Sequence, residues 1–236
     1  SLDTCYRLKN RYRSTRVPDV CLGGATGYFP DPLSYSKYVL SCATQTDIST
    51  CTGFATLAKA NLKNTKGLRV TGVGAVTCRH EFWQPNGVGD LQLGERYCNM
   101  DFIFASAYRH NPNLTGIVTY DVDCQYAPGH WDRVATLPEY LQPNPRPTFT
   151  YMIPKFHLPA HKEACHSTFS LNYLPGAARA DGEGVERNWA SVNALSSSTK
   201  EMTPGSRQDT LDHHFGHANW RKTVALGRFK FYNLSS

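Results

Sequence analysis

Residues 181 to 189, Asp181-Gly182-Glu183-Gly184-Val185-Glu186-Arg187-Asn188-Trp189, place three carboxylates within six positions. Asp181 and Gly182 predict a helix start and Val185 to Leu195 the helix, so Glu183 and Glu186, three apart, share one face. Like charges held in this way repel unless a proton or a cation lies between them. A solvated first turn also accommodates acids, because the positive end of the helix dipole faces them. Two isolated acids elsewhere in the chain weigh against that simpler reading.

The first is Asp3, in Ser1-Leu2-Asp3-Thr4-Cys5-Tyr6-Arg7-Leu8, where flanking apolar and β-favouring residues predict a strand. The second is Asp121, which closes the β-branched run Thr115-Gly116-Ile117-Val118-Thr119-Tyr120, with a further acid at Asp123. An acid at a strand end also serves as a turn former. Two strand-end acids and a helical acid can instead converge on a pair of divalent cations that clamp the attacking and leaving oxygens of a phosphodiester. Mg²⁺, or Mn²⁺ in its place, suits hard oxygen ligands and keeps water positions open to substrate phosphates.

At 236 residues the chain is long enough for one domain with a real core, and 40% hydrophobic with 12% aromatic residues argues against disorder. The formal charge of +6 is modestly basic, which suits a phosphate backbone without requiring one. No run of about 20 apolar residues is present to span a membrane. Ser1-Leu2-Asp3-Thr4-Cys5 does not read as a signal peptide. Eight cysteines without a CxxC pair favour reduced thiols in an intracellular compartment, and the sequons at Asn113 and Asn233 then read as chance.

Along the chain, the first 30 residues read as strand, basic turn and strand, with Arg7, Lys9, Arg11, Arg13 and Arg16 in alternation. Residues 31–66 read as an insertion, a polar Ser/Thr-rich stretch followed by a helix from Cys51 to Asn64. Gly67 to Cys78 alternates with a period near two and reads as a strand; Glu81 to Gly94 reads as loop and residues 95 to 109 as helix. Four prolines between 138 and 147 mark residues 138–154 as a connector, with a short strand from Tyr151 to Phe156 and helices from Lys162 onward. Alternating strand and helix signals give a single α/β domain with helices gathered towards the C-terminus.

Soft metal ligands form a second constellation. His157, His161 and Cys165 recur every four residues, although Pro159 breaks a continuous helix, and Cys78 and His80 lie upstream. These five could supply a tetrahedral zinc site, but neither half has a known finger spacing, and histidines that position a carboxylate or a phosphate are the favoured reading. His213, His214 and His217 read as a polar helix face.

The chain resembles the transposase domain of the KDZ group (Kyakuja, Dileera, Zisupton). The resemblance is carried by Leu2-Asp3 with Tyr6-Arg7-Leu8-Lys9, and by Gly87 to Gln92 followed by Gly94-Glu95-Arg96-Tyr97 and Asn99-Met100-Asp101. It continues through Tyr120-Asp121-Val122 with Cys124-Gln125, Phe156 to His161, Phe169 to Tyr173, Asp181 to Glu186, and Ser198 to Met202 with Pro204 to Arg207. It implies a ribonuclease H-like mixed sheet with flanking helices and a DDE-type metal site. Asp3 would be the first-strand acid, Asp121 the later strand acid, and Glu186 or Glu183 the helical glutamate, with Glu186 slightly favoured.

The activity so implied is DNA cleavage and strand transfer in the nucleus, with transposon ends and target DNA as partners and homo-oligomerisation expected. Lys155, Arg179, Arg187, Lys200 and Arg207 flank the expected site and are candidates for phosphate contact. Asp123 and Cys5 depart from the family's pattern, Thr203 and Ala180 in smaller ways, as in a decaying element. An inactive or domesticated DNA-binding module of the same fold, or a zinc-binding domain, are the alternatives. The chain opens within the expected first strand, as in a catalytic domain truncated at both ends.

Overall fold

Gly72–Thr77 (β4) is buried along its whole length, and the two layers of the fold meet on its faces. A computed structural model of the protein describes residues 1–14, 17–23, 27–42, 51 and 65–234. Leu2–Cys5 (β1) and Trp83–Leu91 (β5) flank β4 in an antiparallel sheet of order β1-β4-β5, with Asp3 opposite Ala75 and Val73 opposite Asp90. Alternate β4 side chains feed two cores, as a strand's period of two requires. Val73 and Ala75 join Trp83, Val88, Trp189, Leu211 and Phe215; Val76 joins Leu2, Met100, Phe102, Ile103, Val118 and Tyr120.

Two glycines set how closely a helix packs on this sheet. A Cβ at Gly89 would lie 2.6 Å from Ile103 Cδ1, and one at Gly74 would lie 2.7 Å from Met100 Sδ. Tyr97–Tyr108 (α2), which carries Met100 and Ile103, therefore sits directly on backbone. Pro32–Ser41 (α1) covers it with Tyr35 and Tyr38, both in ring contact with Phe102. This helix lies where a polar stretch was expected. Asp31 caps it by accepting from Ser34 N at 2.7 Å, Pro32 opens it, and Tyr35, Tyr38 and Val39 form its buried stripe. The expected helix from Cys51 to Asn64, Cys51 aside, lies outside the described residues, as does Arg16.

Residues 67 to 78 form Leu68–Val70 (β3) and then β4, β3 pairing with Asn10–Arg11 (β2). The expected loop from Glu81 to Gly94 is in fact mostly β5. Pro85 and Gly87 suggest a breaker, but a register shift between Ala75 and Thr77 and a positive φ of 51° at Asn86 absorb them within the ladder. Thr115–Thr119 (β6) pairs in parallel with Thr148–Met152 (β7), so the connector expected at 138–154 ends in a strand, which begins three residues before the expected Tyr151. Between them run Asp123–Tyr126 (α3) and His130–Val134 (α4). Among the described residues the expected mixed sheet is thus divided among three ladders. The two larger share one core, and Thr119 Oγ1 donates to Ser1 Oγ at 2.8 Å across the gap between β6 and β1.

The C-terminal part is helical, as expected: Glu163–Thr168 (α5), Gly184–Val192 (α6), Ser196–Lys200 (α7) and Pro204–Leu234 (α8). Leu211 and Phe215 of α8 reach the core, while Asp209 and Asp212 accept backbone N–H groups of Leu22, Gly23 and Tyr28 and so tie down the early loop. No described helix is long and apolar enough to cross a membrane.

Arg207, expected as a candidate phosphate contact, is instead fully buried. Its guanidinium donates to Asp90 Oδ1 at 2.6 Å and to the Leu8 carbonyl at 2.9 Å, so it joins α8 to β5 and to the turn after β1. Removing one partner of a buried pair leaves the other uncompensated, at about 3–5 kcal/mol. Arg69 also reaches Asp90, at 3.2 Å, which places the expected cost at the lower end. Arg207→Ala is therefore expected to reduce unfolding free energy by about 3 kcal/mol in denaturant titrations. A loss below about 1 kcal/mol would contradict this structural role.

Candidate active site and metal centre

Asp3, Asp121 and Glu186 come from three elements that the two cores hold together. Asp3 lies within β1, and its Oδ2 accepts from the Trp189 indole Nε1 at 2.8 Å. Trp189 is one turn beyond Glu186 on α6 and is buried against Trp83, at 4.9 Å between centroids. The indole is thus a core residue whose polar edge fixes the first acid, and it docks α6 on β1. Asp121 stands two residues past β6, just before α3.

These carboxyls share one electrostatic environment. Burial, then Glu95 and Glu186, push Asp3 from 3.8 up to about 8 against the hydrogen bonds from Thr4 and Trp189. Burial, followed by Glu95, Asp3, Asp123 and Glu186, raises Asp121 well above the carboxylate range. The leading charges felt by both are therefore other acids. Asp121 Oδ1 is buried with no hydrogen-bond partner among the described residues. A buried carboxylate oxygen aimed among like charges calls for a proton or a cation. Among the described residues, His157, Glu183 and Glu186 have donor atoms within 4.8 Å of one another and form a group that could hold a metal ion.

Glu95 belongs to the same cluster and was not foreseen as a site residue. Its Oε2 accepts from Thr4 Oγ1 at 3.1 Å and Tyr6 OH at 3.2 Å, and its Oε1 accepts from Tyr120 OH. Burial raises its pKa while those three hydroxyls oppose the shift. It couples β1 to the residue preceding Asp121. The one sequence signal was its place in the Gly94–Tyr97 block, after a glycine at φ 67° that ends the β5 excursion.

Glu183 is the cap residue of α6 rather than a helical position, because Gly182 turns the chain at φ 83° against Pro154. Both glutamates still meet His157: Nε2 hydrogen-bonds Glu186 Oε1 and lies 3.9 Å from Glu183 Oε2. Burial alone would lower the His157 pKa, but the Glu186 hydrogen bond and the two carboxylates raise it. Burial works against ionised Glu186 as well, and His157 and Glu183 together bring it below the usual range. Glu183 is pushed up to about 7 by burial and its contact with Glu186, although its Oε1 accepts from Phe156 N at 2.8 Å. Glu186, not Glu183, is among the leading charges acting on both aspartates.

Asp123, the departure next to Asp121, is fully buried and accepts from Met152 N at 3.1 Å, which ties α3 to β7. Cys5 is buried with its Sγ 3.3 Å from Asn193 Oδ1.

The expected zinc set is redistributed. Cys78 and His80 lie at the β4–β5 turn, and His157 belongs with the glutamates. His161 and Cys165 are instead joined by Cys51 and Cys124, and the four donor atoms lie within 4.8 Å of one another. The chain therefore carries a Cys/His group able to hold a metal ion, different from the set that local spacing suggested. No disulfide joins the eight cysteines, all of which lie among the described residues.

Of the expected phosphate contacts, Arg179 is exposed and lines a cleft with Arg79, Asp181 and Arg187 beside Ser1 and Thr119. Arg79, a cation not foreseen, is exposed there too. Arg187 is engaged by Glu81 Oε1 at 2.6 Å and Asp181 Oδ2 at 2.8 Å. Lys155 and Lys200 are half-buried, and the Lys155 N–H donates to the Asp181 carbonyl at 2.8 Å.

The model of the KDZ: Kyakuja-Dileera-Zisupton transposase family matches residues 1–219. No curated protein and no solved structure matches the chain. With nearly its whole length covered, the chain belongs to the Kyakuja-Dileera-Zisupton transposase family.

Proposed function

We propose that this chain is a DDE-type catalytic domain on a ribonuclease H-like sheet, in which Asp3, Asp121 and Glu186 hold divalent cations for cleaving and joining DNA strands. The observation that carries this reading is the convergence of three acids from β1, the end of β6 and α6 into one electrostatic unit, with a buried Asp121 oxygen left open. The β1-β4-β5 antiparallel sheet beside the parallel β6–β7 pair supports the fold reading.

When bound, Mg²⁺ or Mn²⁺ supplies Lewis acidity to the scissile phosphate and lowers the pKa of the attacking water. The chain's own residues position and neutralise. Trp189 holds the Asp3 carboxylate, His157 holds Glu186, and Glu95 fixes Tyr120 and so the approach to Asp121. Arg79 and Arg179 face the adjoining cleft, where a DNA backbone phosphate would find them. Water would first hydrolyse one strand at an element's end, and the freed 3′-hydroxyl would then attack target DNA in line; the residues supply alignment. Nuclear action and a DNA partner follow from this reading, and a homo-oligomer is the form in which paired ends would be held.

Asp121→Asn keeps the side chain's shape and removes its charge. Loss of one cation ligand is expected to cost several kcal/mol of barrier, about 10³-fold in strand nicking, while DNA retention on gels persists. Nicking by Asp121→Asn at the wild-type rate would overturn the assignment. Wild-type protein that binds DNA without nicking at any Mg²⁺ or Mn²⁺ level would favour the alternative of an inactive binding module.

The raised carboxyls give a second expectation. Between 3.8 and about 8, folded Asp3 keeps a proton that the unfolded chain has released, and Glu183, raised to about 7, acts in the same direction. Metal-free protein is therefore most stable at the acid end of this window and loses that contribution as pH rises. A cation competes with those protons, so added Mg²⁺ is expected to raise the melting temperature more at about pH 8 than at about pH 6. Equal shifts at both values would contradict the shared site.

A further inference from the structure

We infer that Cys51, Cys124, His161 and Cys165 form a closed structural zinc site flanking the acid cluster. Cys51 Sγ and Cys124 Sγ each lie 3.4 Å from His161 Nδ1. A tetrahedral zinc with Zn–S of about 2.3 Å and Zn–N of about 2.0–2.1 Å has N···S edges of roughly 3.5 Å, so these separations match the polyhedron. Cys165 Sγ completes a group whose four donors lie within 4.8 Å of one another.

The ligand chemistry separates this site from the acids. Three thiols and an imidazole are soft donors that select zinc, whereas Mg²⁺ takes oxygen. Four protein ligands leave no position for substrate, which is the pattern of a structural site. Cys51 and His161 are buried, and Cys124 and Cys165 half-buried, so the group is enclosed by the fold. Loading Zn²⁺ releases three thiol protons to solvent, and the zinc with three thiolates and neutral His161 carries a net charge of minus one.

The ligands come from distant parts of the chain. Cys51 precedes β3, Cys124 lies in α3 three residues after Asp121, His161 lies four residues after His157, and Cys165 lies in α5. One ion would join the segment ending β6 to the loop that carries His157, and would fix Cys51 against both. Cys124 lies three residues after Asp121, so the ligand sphere is tied through the chain to the second acid. That positioning effect rests on the catalytic reading above; the zinc site itself does not.

Metal analysis of the full chain, purified without chelator, is expected to find about one zinc per chain. Cys124→Ser and Cys165→Ser are each expected to lower this at least about tenfold, and Cys78→Ser, outside the group, to retain it. Should a serine variant fail to fold, Co²⁺ titration of chelator-treated wild-type protein gives an independent reading. The expected spectrum has the strong ligand-field bands of a tetrahedral site and thiolate-to-metal charge transfer, saturating at about one equivalent. Folded wild-type protein with no zinc and no thiolate–cobalt band would overturn the proposal, as would full zinc retention in both serine variants. Neither measurement involves DNA, so loss of strand cleavage leaves this result standing, and the reverse also holds.

Discussion

Repulsion among Asp3, Glu95, Asp121 and Glu186 is the constraint around which this molecule is arranged. Like charges repel more strongly as the effective dielectric around them falls, and several such pairs would consume much of a domain's stability. The fold nevertheless holds the four groups together, and burial with mutual repulsion raises Asp3 and Asp121 far above the ordinary carboxylate range. Such an arrangement is tolerable when protons occupy it, and under the proposed function cations would replace them.

Each acid is held by a separate device. Trp189, buried in the β4 core, presents its N–H to Asp3; His157 binds Glu186; Thr4, Tyr6 and Tyr120 converge on Glu95. Asp121 has an oxygen, Oδ1, buried without a partner among the described residues, as do the neighbouring Asp123 (Oδ1) and Glu183 (Oε2). The cores on either face of β4 are thus more than stability: they set the reach of β1 and α6 towards the end of β6. The Cys/His group, which includes Cys124 three residues beyond Asp121, would add a metal staple between α3 and the segment that carries His161.

Much of the candidate site was legible because its acids punctuate strongly patterned segments. Asp121 ends a β-branched run, Asp3 sits among β-favouring residues, and Glu186 opens an amphipathic helix. Local signals failed where tertiary context decides. Pro85 and Gly87 read as a loop, yet a bulge carries them within β5. Arg207 reads as a phosphate contact, and only the arrival of Asp90 and the Leu8 carbonyl makes its burial tolerable. Cys51 and Cys124 lie 73 residues apart, so no spacing rule could pair them, whereas the nearer Cys78 and His80 offered a false match. Glu95 was hidden for a like reason: an acid after a glycine looks like a turn until Tyr6 and Tyr120 close on it.

The central claim is that Asp3 and Asp121 share a cation with Glu186 in reach. Crystals soaked in manganese and measured at the manganese absorption edge test it most directly. The expected result is anomalous density bridging the Asp3 and Asp121 carboxylates, with any second peak about 3.5–4 Å away towards Glu186. Ordered manganese bound elsewhere, with the two aspartates keeping their protons and sharing no ion, would contradict the account.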